Sequence, residues 1–572
     1  MKAAIVDEEG RDEGTDDIIE LPLLERLSIS HCPMEKFFSY PHGKKELITG
    51  TSDSQDTYCD SFFDQKISLP RLEVLKLESV GTLKRIWHNE LPKSSFDKSA
   101  NLTLGKCSNL LDVFPSTIIG RLHNLKSVTI SKCPSLESLF DFGSLDSYTE
   151  QTIELLPKLE EIVVHRCHSL ESLFDYRSLD SNIENKIVLL PKLRLVVVIE
   201  AGRLRHMVMT NSQTVLGFPS LNEVSVVKCS ELRYLFPNYT ATTLEKLKAL
   251  GIIKCEQMKE VVPKGEGGLS KEEVMSFPSL TFLCIWWCPN FRAFIQSPTS
   301  VKRQLGEMIE ENDESAQPLF NDMVRFPDLE ELCIGGIQCK ELWNNQISDD
   351  SFCKLKSLLL KGCDNLQHIA PSHLWKRLQD CLKTLEVKSC RSIGIIYESD
   401  GTVAKSSNLR TLDLRDLDNL RHIWRYDNLP NIPFPNLRYI KAVRCSRLDM
   451  LFATFTAKFL RQIEKLVVGS CEDMELIAGH EECEEVTGNT ITFSRLTTLR
   501  LYNLPKFRSF IPEKYSAEFP SLDVSSRIEP DQGNRSAEES EGEIEDLECK
   551  IEEIDKESEK VYREIMEESE GE

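Results

Sequence analysis

No stretch of this chain approaches the roughly 18 consecutive apolar residues that a helix needs to cross a bilayer, so a membrane anchor is not expected. The opening residues lack the basic-then-apolar order of a secretory leader. Residues 1–20 carry eight acids against two bases, and a disordered acidic lead-in is expected there. Without a secretory route, the N-x-[S/T] sequons at Asn101, Asn238 and Asn534 are chance matches. Bases are in short supply, 69 Lys and Arg against 92 Asp and Glu for a net charge of −23, which argues against a nucleic-acid partner. Glycines never fall as G-x₄-G-K-[S/T]. Lys264 to Leu269 has glycines but no lysine-serine after them, so no nucleotide cofactor is expected. No Ser/His/Asp or Cys/His arrangement stands out, and the acidic pairs are scattered, so the chain is not expected to be an enzyme.

Cysteine is plentiful, with nineteen in 572 residues, and its placement reveals a repeat. The unit is L-x-x-L-x-[L/I/V]-x-x-C-x-x-[L/M/F]-x-x-[L/I/V/F]. Leu125, Val128, Ile130, Cys133, Leu136 and Leu139 make one copy, and Leu355, Leu358, Leu360, Cys363, Leu366 and Ile369 another. Marked by the cysteine slot, sixteen units stand at positions 32, 80, 107, 133, 167, 201, 229, 255, 288, 337, 363, 390, 417, 445, 471 and 504. Alternating apolar residues make a short strand with one inward face, and the wider spacing after it turns the chain back. A single copy cannot bury that face. Stacked copies can, so the fold class is α/β: a curved solenoid over residues 21–524, with a parallel sheet on its concave side. Insertions are expected near 38–68 and 297–324. Prolines in Leu69-Pro70, Phe218-Pro219, Phe277-Pro278 and Phe434-Pro435 sit just before strands, where they cost no ladder hydrogen bond.

Eleven cysteines occupy the slot where the chain leaves the strand, and Val80, Ala201, Ile337, Leu417 and Leu504 replace them in the other units. A small apolar thiol suits a tight buried turn, so these cysteines belong to the core, and a reducing compartment, the cytoplasm, follows. Cys284 and Cys288 form C-x₃-C with no second ligand pair at zinc spacing, and His165 and His168 flank Cys167 with no third ligand, so no metal site is expected.

Residues between and just after the inward positions must face the concave side. The position before the slot reads Lys106, Lys132, Arg166, Glu200, Lys228 and Lys254, a nearly continuous basic ladder. Like charges stacked at about 5 Å repel unless an anion meets them, so the ladder is either a docking strip or a wet turn that tolerates lysine. A second, apolar patch comprises Val163, Val197, Ile199, Val227, Ile253, Cys284, Trp286 and Trp287, expected to be exposed and to mark a protein partner's site.

Residues 525–572 form an acidic linker and tail. From 536 to 572 there are seventeen acids against four bases, with Ile544, Leu547, Ile551, Ile554, Val561 and Ile565 at helical spacing. This is either a C-terminal amphipathic acidic helix able to pair with itself or another chain through 544–565, or a solvated tail. Removing both acidic ends leaves the body close to neutral, so the tail, an insertion or an acidic partner is expected to lie along the basic ladder.

The cysteine-slot units, the F-P-x-L strand entries and the C-x-x-L-x-x-L-F continuations at Cys133 to Phe140, Cys167 to Phe174 and Cys229 to Phe236 resemble the C-terminal leucine-rich repeats of plant intracellular nucleotide-binding disease resistance proteins of the coiled-coil class. The resemblance covers about Leu21 to Val524. It implies a protein-recognition role in innate immunity, sensing a pathogen effector or a guarded host protein it modifies, or docking to a nucleotide-binding switch domain. The phosphate loop of that switch domain is missing here, so nucleotide binding and signalling are not implied. The substrate-recognition subunits of ubiquitin ligases also use cysteine in this turn and are the alternative. They usually show a more even period near 26 and a short N-terminal adaptor-binding motif, neither of which is seen.

Overall fold

The computed structural model describes residues 5–6, 18–39, 61–92, 95–143, 152–176, 187–209, 215–263, 274–295, 318–398, 407–425, 434–479 and 490–522. The expected lead-in, most of both insertions and the acidic tail helix lie outside the described residues.

The chain falls into two units, one holding residues up to 247 together with 253–269, the other 248–252 and 270–553. In the first, parallel five-residue strands follow chain order: Arg26–Ser30, Val74–Glu78, Asn101–Gly105, Ser127–Ser131, Glu161–His165, Leu195–Ile199 and Glu223–Val227. In the second they are Phe282–Trp286, Glu331–Gly335, Ser357–Lys361, Thr384–Lys388, Thr411–Arg415, Tyr439–Val443, Lys465–Gly469 and Thr498–Tyr502. The strand Ala249–Ile253 is divided between them. Every slot position read from the sequence lies two residues beyond the end of one of these strands.

The register is the one the repeat demands, with Val128 beside Ile162 and Leu358 beside Leu385, so second and fourth strand positions stack inward in rows. Leu75, Leu77, Val128, Ile130, Leu358 and Leu360 are all at most 1% exposed. The (Leu/Phe)-Pro-x-Leu entries are turns: the Leu72, Leu221, Leu280 and Leu437 amides donate to the carbonyls of Leu69, Phe218, Phe277 and Phe434. Proline thus occupies the second turn position, where its fixed φ is already correct.

The return segments are built more from strand than from helix. Asp112–Phe114, Ser138–Asp141, Ser172–Asp175 and His206–Met209 form one small parallel sheet, and Thr152–Glu154, Ile187–Leu189 and Val215–Gly217 another. Among the described residues the longest helix is Ser372–Cys381, burying Leu374, Trp375 and Leu378. The continuation L-F explains the preference: Phe114, Phe140 and Phe174 stack face to face at 4.7 and 5.4 Å, a ladder that only in-register strands can present.

Candidate functional site

The residue before each slot turns the chain out of its strand, and at all sixteen positions φ is positive, from +51° at Lys106 and Asn503 to +63° at Gly362. Left-handed backbone costs a residue with a Cβ about 1 kcal/mol, and fourteen of the sixteen have one. The conformation persists because it aims an amide at the neighbouring unit. Lys106 N–H donates to the Ser131 carbonyl at 2.9 Å, Lys132 to His165 at 2.8 Å and Asp416 to Val443 at 3.0 Å. The slot thiol closes the same turn from inside. Cys107 and Cys133 each donate to the carbonyl two residues earlier at 3.4 Å, and Cys363 does so at 3.7 Å. The slot cysteines are buried apart from Cys32, which is half-buried, so cysteine here is a short donor that fits where a longer side chain would not. No group of three His, Cys, Asp or Glu side chains among the described residues is placed to hold a metal ion.

Side chains of this turn column stand outside the core, but the basic ladder is not a row of bare cations. Glu200 sits between Arg166 and Lys228 and pairs with both, at 2.7 and 3.2 Å. Lys106 pairs with Glu78 of the preceding unit at 2.9 Å. Burial alone would push the Glu200 carboxyl up, but hydrogen bonds from Arg166 and Lys228 prevail and hold it below the usual range. Lys132 is exposed and makes no ion pair among the described residues. Lys254 is exposed as well.

The apolar patch departs from expectation. Val163, Val197, Ile199, Val227, Ile253 and Cys284 are at most 2% exposed and Trp286 only 7%, while Trp287 alone stands out at 47%. His165, on the same strand face, is also buried. The assignment to that face holds, but not the exposure. The register sets Val163 beside Val197, and Ile199 beside both His165 and Val227. At a strand spacing of about 4.8 Å, branched side chains in such rows cover one another's flanks.

The tryptophans avoid water by a second route. A Cβ added at Gly335 would come within 2.6 Å of Trp286 Cζ3, and one at Gly336 within 2.9 Å of Trp287 Cδ2, so each indole lies on the bare backbone of the next unit. Trp287 also reaches Gly362, whose Cβ position is 3.7 Å from Cη2. The rings are seated, and one face of Trp287 remains open.

Sequence reasoning missed a charged cluster on the same strand face of the second unit. Lys388 Nζ lies 2.9 Å from Glu386, with the two side chains 4% and 3% exposed. Arg415 donates to Asp413 through Nε at 2.8 Å, and Arg444 Nη2 donates to Asp416 at 2.9 Å. The signal was present as T-L-E-V-K and T-L-D-L-R, an acid and a base two residues apart on one strand face. Such buried pairs seldom add much stability, so the core does not explain their presence.

Residues 70–155, 148–256 and 328–472, more than half of the chain, match the family model for plant disease resistance protein RPS2-like leucine-rich repeats. No curated protein matches. Among solved structures, a leucine-rich repeat protein from Bacteroides thetaiotaomicron is similar at 11% identity with a TM-score of 0.32, covering 75% of this chain and 54% of that one. The match therefore spans about half of that protein's length. A leucine-rich repeat protein from Leptospira interrogans is similar at 14% identity with a TM-score of 0.18, covering 67% of this chain and 84% of that one. The receptor in the TLR13-ssRNA13 complex is similar at 12% identity with a TM-score of 0.22, covering 77% and 81%.

Proposed function

The chain belongs to the RPS2-like leucine-rich repeat family of plant disease resistance proteins, and from that premise we propose that it is a cytoplasmic recognition module of plant innate immunity. In this reading it senses a pathogen effector or a modified host protein, or docks to a nucleotide-binding switch domain outside these 572 residues. A leucine-rich repeat solenoid is a scaffold for binding proteins, and catalysis has no place in the reading.

One observation carries it. Within each unit the inward strand positions and the slot stay apolar, whereas the third strand position reads Lys76, Thr103, Thr129, Val163, Val197 and Ser225 through successive units. The turn column likewise holds Lys, Arg, Glu, Asp, Trp, Gly, Ser, His and Asn. Positions that the core does not constrain are free to be chosen by a partner. The surface put forward is the turn column around Lys106, Lys132, Arg166, Lys228 and Lys254 together with Trp287. Trp286, Val197, Ile199, Val227 and Ile253 act behind it as a rigid floor.

The test is affinity capture from plant tissue with the wild-type chain and with Trp287→Ala, followed by identification of bound proteins. Recovery of a nucleotide-binding switch domain or of an effector, reduced by the substitution, is the expected result. Recovery of a ligase adaptor instead, or capture indifferent to Trp287, refutes the reading.

A further inference from the structure

We propose that three successive return loops of the second unit form a site for a phosphate-bearing ligand, gripped by Arg421 and Arg447. The site is a surface concavity of about 560 Å³ lined by Gly394, Ile395, Asn419, Arg421, His422 and Arg447. That volume lies in the range of small-ligand sites. It does not involve the turn column and does not rest on the recognition role proposed above.

The repeat itself builds the concavity. Four residues beyond the slot, one unit carries Gly394 where the next carries Arg421, so a missing side chain stands beside a guanidinium. A Cβ at Gly394 would touch only the Asn419 carbonyl, at an ordinary 3.7 Å, so the glycine leaves open space instead of relieving a clash. The floor is held in place by backbone. Arg421 and His422 N–H groups both donate to the Gly394 carbonyl, at 2.9 and 3.4 Å, and the Asn419 amide donates to the Arg391 carbonyl at 2.7 Å. Arg447 enters from the third loop, two residues beyond Cys445.

The electrostatics point to an anion. No carboxylate lines the concavity, and neither Arg421 nor Arg447 makes an ion pair among the described residues. Nearby Arg391, outside the lining, lies within 4.0 Å of both Asp364 and Asp418. Two guanidinium groups held on one depression repel each other unless a multiply charged anion enters, and their planar forks match phosphate oxygens two at a time. The shared chemistry is a phosphate dianion, carried either by a small organic phosphate or by a phosphorylated side chain.

Calorimetric titration of the full chain with pyrophosphate and, separately, with a phosphoserine peptide tests this. One saturable site is expected for at least one probe, the tighter of the two naming the source. Binding should weaken about tenfold or more in Arg421→Ala/Arg447→Ala and be unchanged in Arg233→Ala, an exposed arginine away from the site. If the double variant melts early, Arg447→Ala alone, on an exposed residue, gives the same readout. Absence of saturable binding for both probes, or binding that survives loss of the arginines, overturns the proposal.

Discussion

Gly336→Ala is expected to be costly only while Trp287 is present. The glycine holds φ at +61°, so an alanine there pays about 1 kcal/mol for left-handed backbone. Its Cβ would also lie 2.9 Å from Trp287 Cδ2 and 3.0 Å from Trp287 Cα. Because the Cα is among the atoms struck, rotating the indole away does not relieve the contact, and repacking should cost a further 1–3 kcal/mol, roughly. The total is about 2–4 kcal/mol in the wild-type background. With Trp287→Ala already in place the clash term disappears and about 1 kcal/mol remains. Solenoid units unfold through nearest-neighbour terms, so a global midpoint dilutes the effect, and native-state hydrogen exchange of amides in Glu331–Gly335 and Ser357–Lys361 is the sharper readout. A coupling energy of about 1–3 kcal/mol between the two substitutions is expected, and equal costs in both backgrounds would show that the indole does not rest on this glycine.

Three further outcomes follow from the charges and thiols. Glu200 has its carboxyl held below the ordinary value by Arg166 and Lys228 despite burial, so its contribution is complete above about pH 4.5 and is lost as pH falls below it. Glu200→Gln should remove that component, worth under about 1 kcal/mol because the cations are partly exposed; melting curves over this range that are indifferent to the substitution contradict the pairing. Burial pushes the Glu260 carboxyl up to about 7, and its Oε2 is buried without a hydrogen-bond partner among the described residues. The folded state therefore keeps this proton longer than the unfolded chain, and stability should fall as pH rises from about 4.5 through 7. Glu260→Gln should flatten that fall, adding about 1–2 kcal/mol near pH 8 after allowance for partial exposure, and thermal melts at acid and alkaline pH decide it. In native protein a thiol reagent should label exposed Cys353 promptly. Cys363, whose thiol is held well above its usual pKa by a hydrogen bond with Cys390 and by burial, should react only on unfolding. Native-state labelling of Cys363 would remove it from the core.

The turn slots were legible because two independent patterns meet there. Alternating apolar residues say where a strand runs, and the small residue after them says where it must stop, so both errors cannot compensate. The direction of Val197, Ile199 and Val227 was legible for the same reason, since alternation assigns faces. Their burial was not, because it depends on what stands in register one unit away, and a single unit's sequence does not contain its neighbour. Trp286 and Trp287 make the case most clearly. Adjacent tryptophans look exposed until Gly335 and Gly336, some fifty residues onward, prove to be the surface they lie on. The Glu386 and Lys388 pair was overlooked for the opposite reason: charged residues on a strand face that was expected to be wet attract no notice, and only the packing shows that they are nearly sealed from solvent.

The turn column joins these points to function. Left-handed backbone normally selects glycine or asparagine. Here only Gly336, Gly362 and Asn503 conform, and the remaining thirteen positions carry other residues at the same φ. The amide that each turn donates to the next unit offsets the conformational cost whatever the side chain. The fold thus enforces a backbone geometry at this column while leaving side-chain identity nearly unconstrained. A column held rigidly in place yet open in chemistry can change its ligand by substitution without refolding the solenoid. Mutating Lys132 should therefore alter binding with little effect on stability, whereas mutating Cys133 next to it should do the reverse.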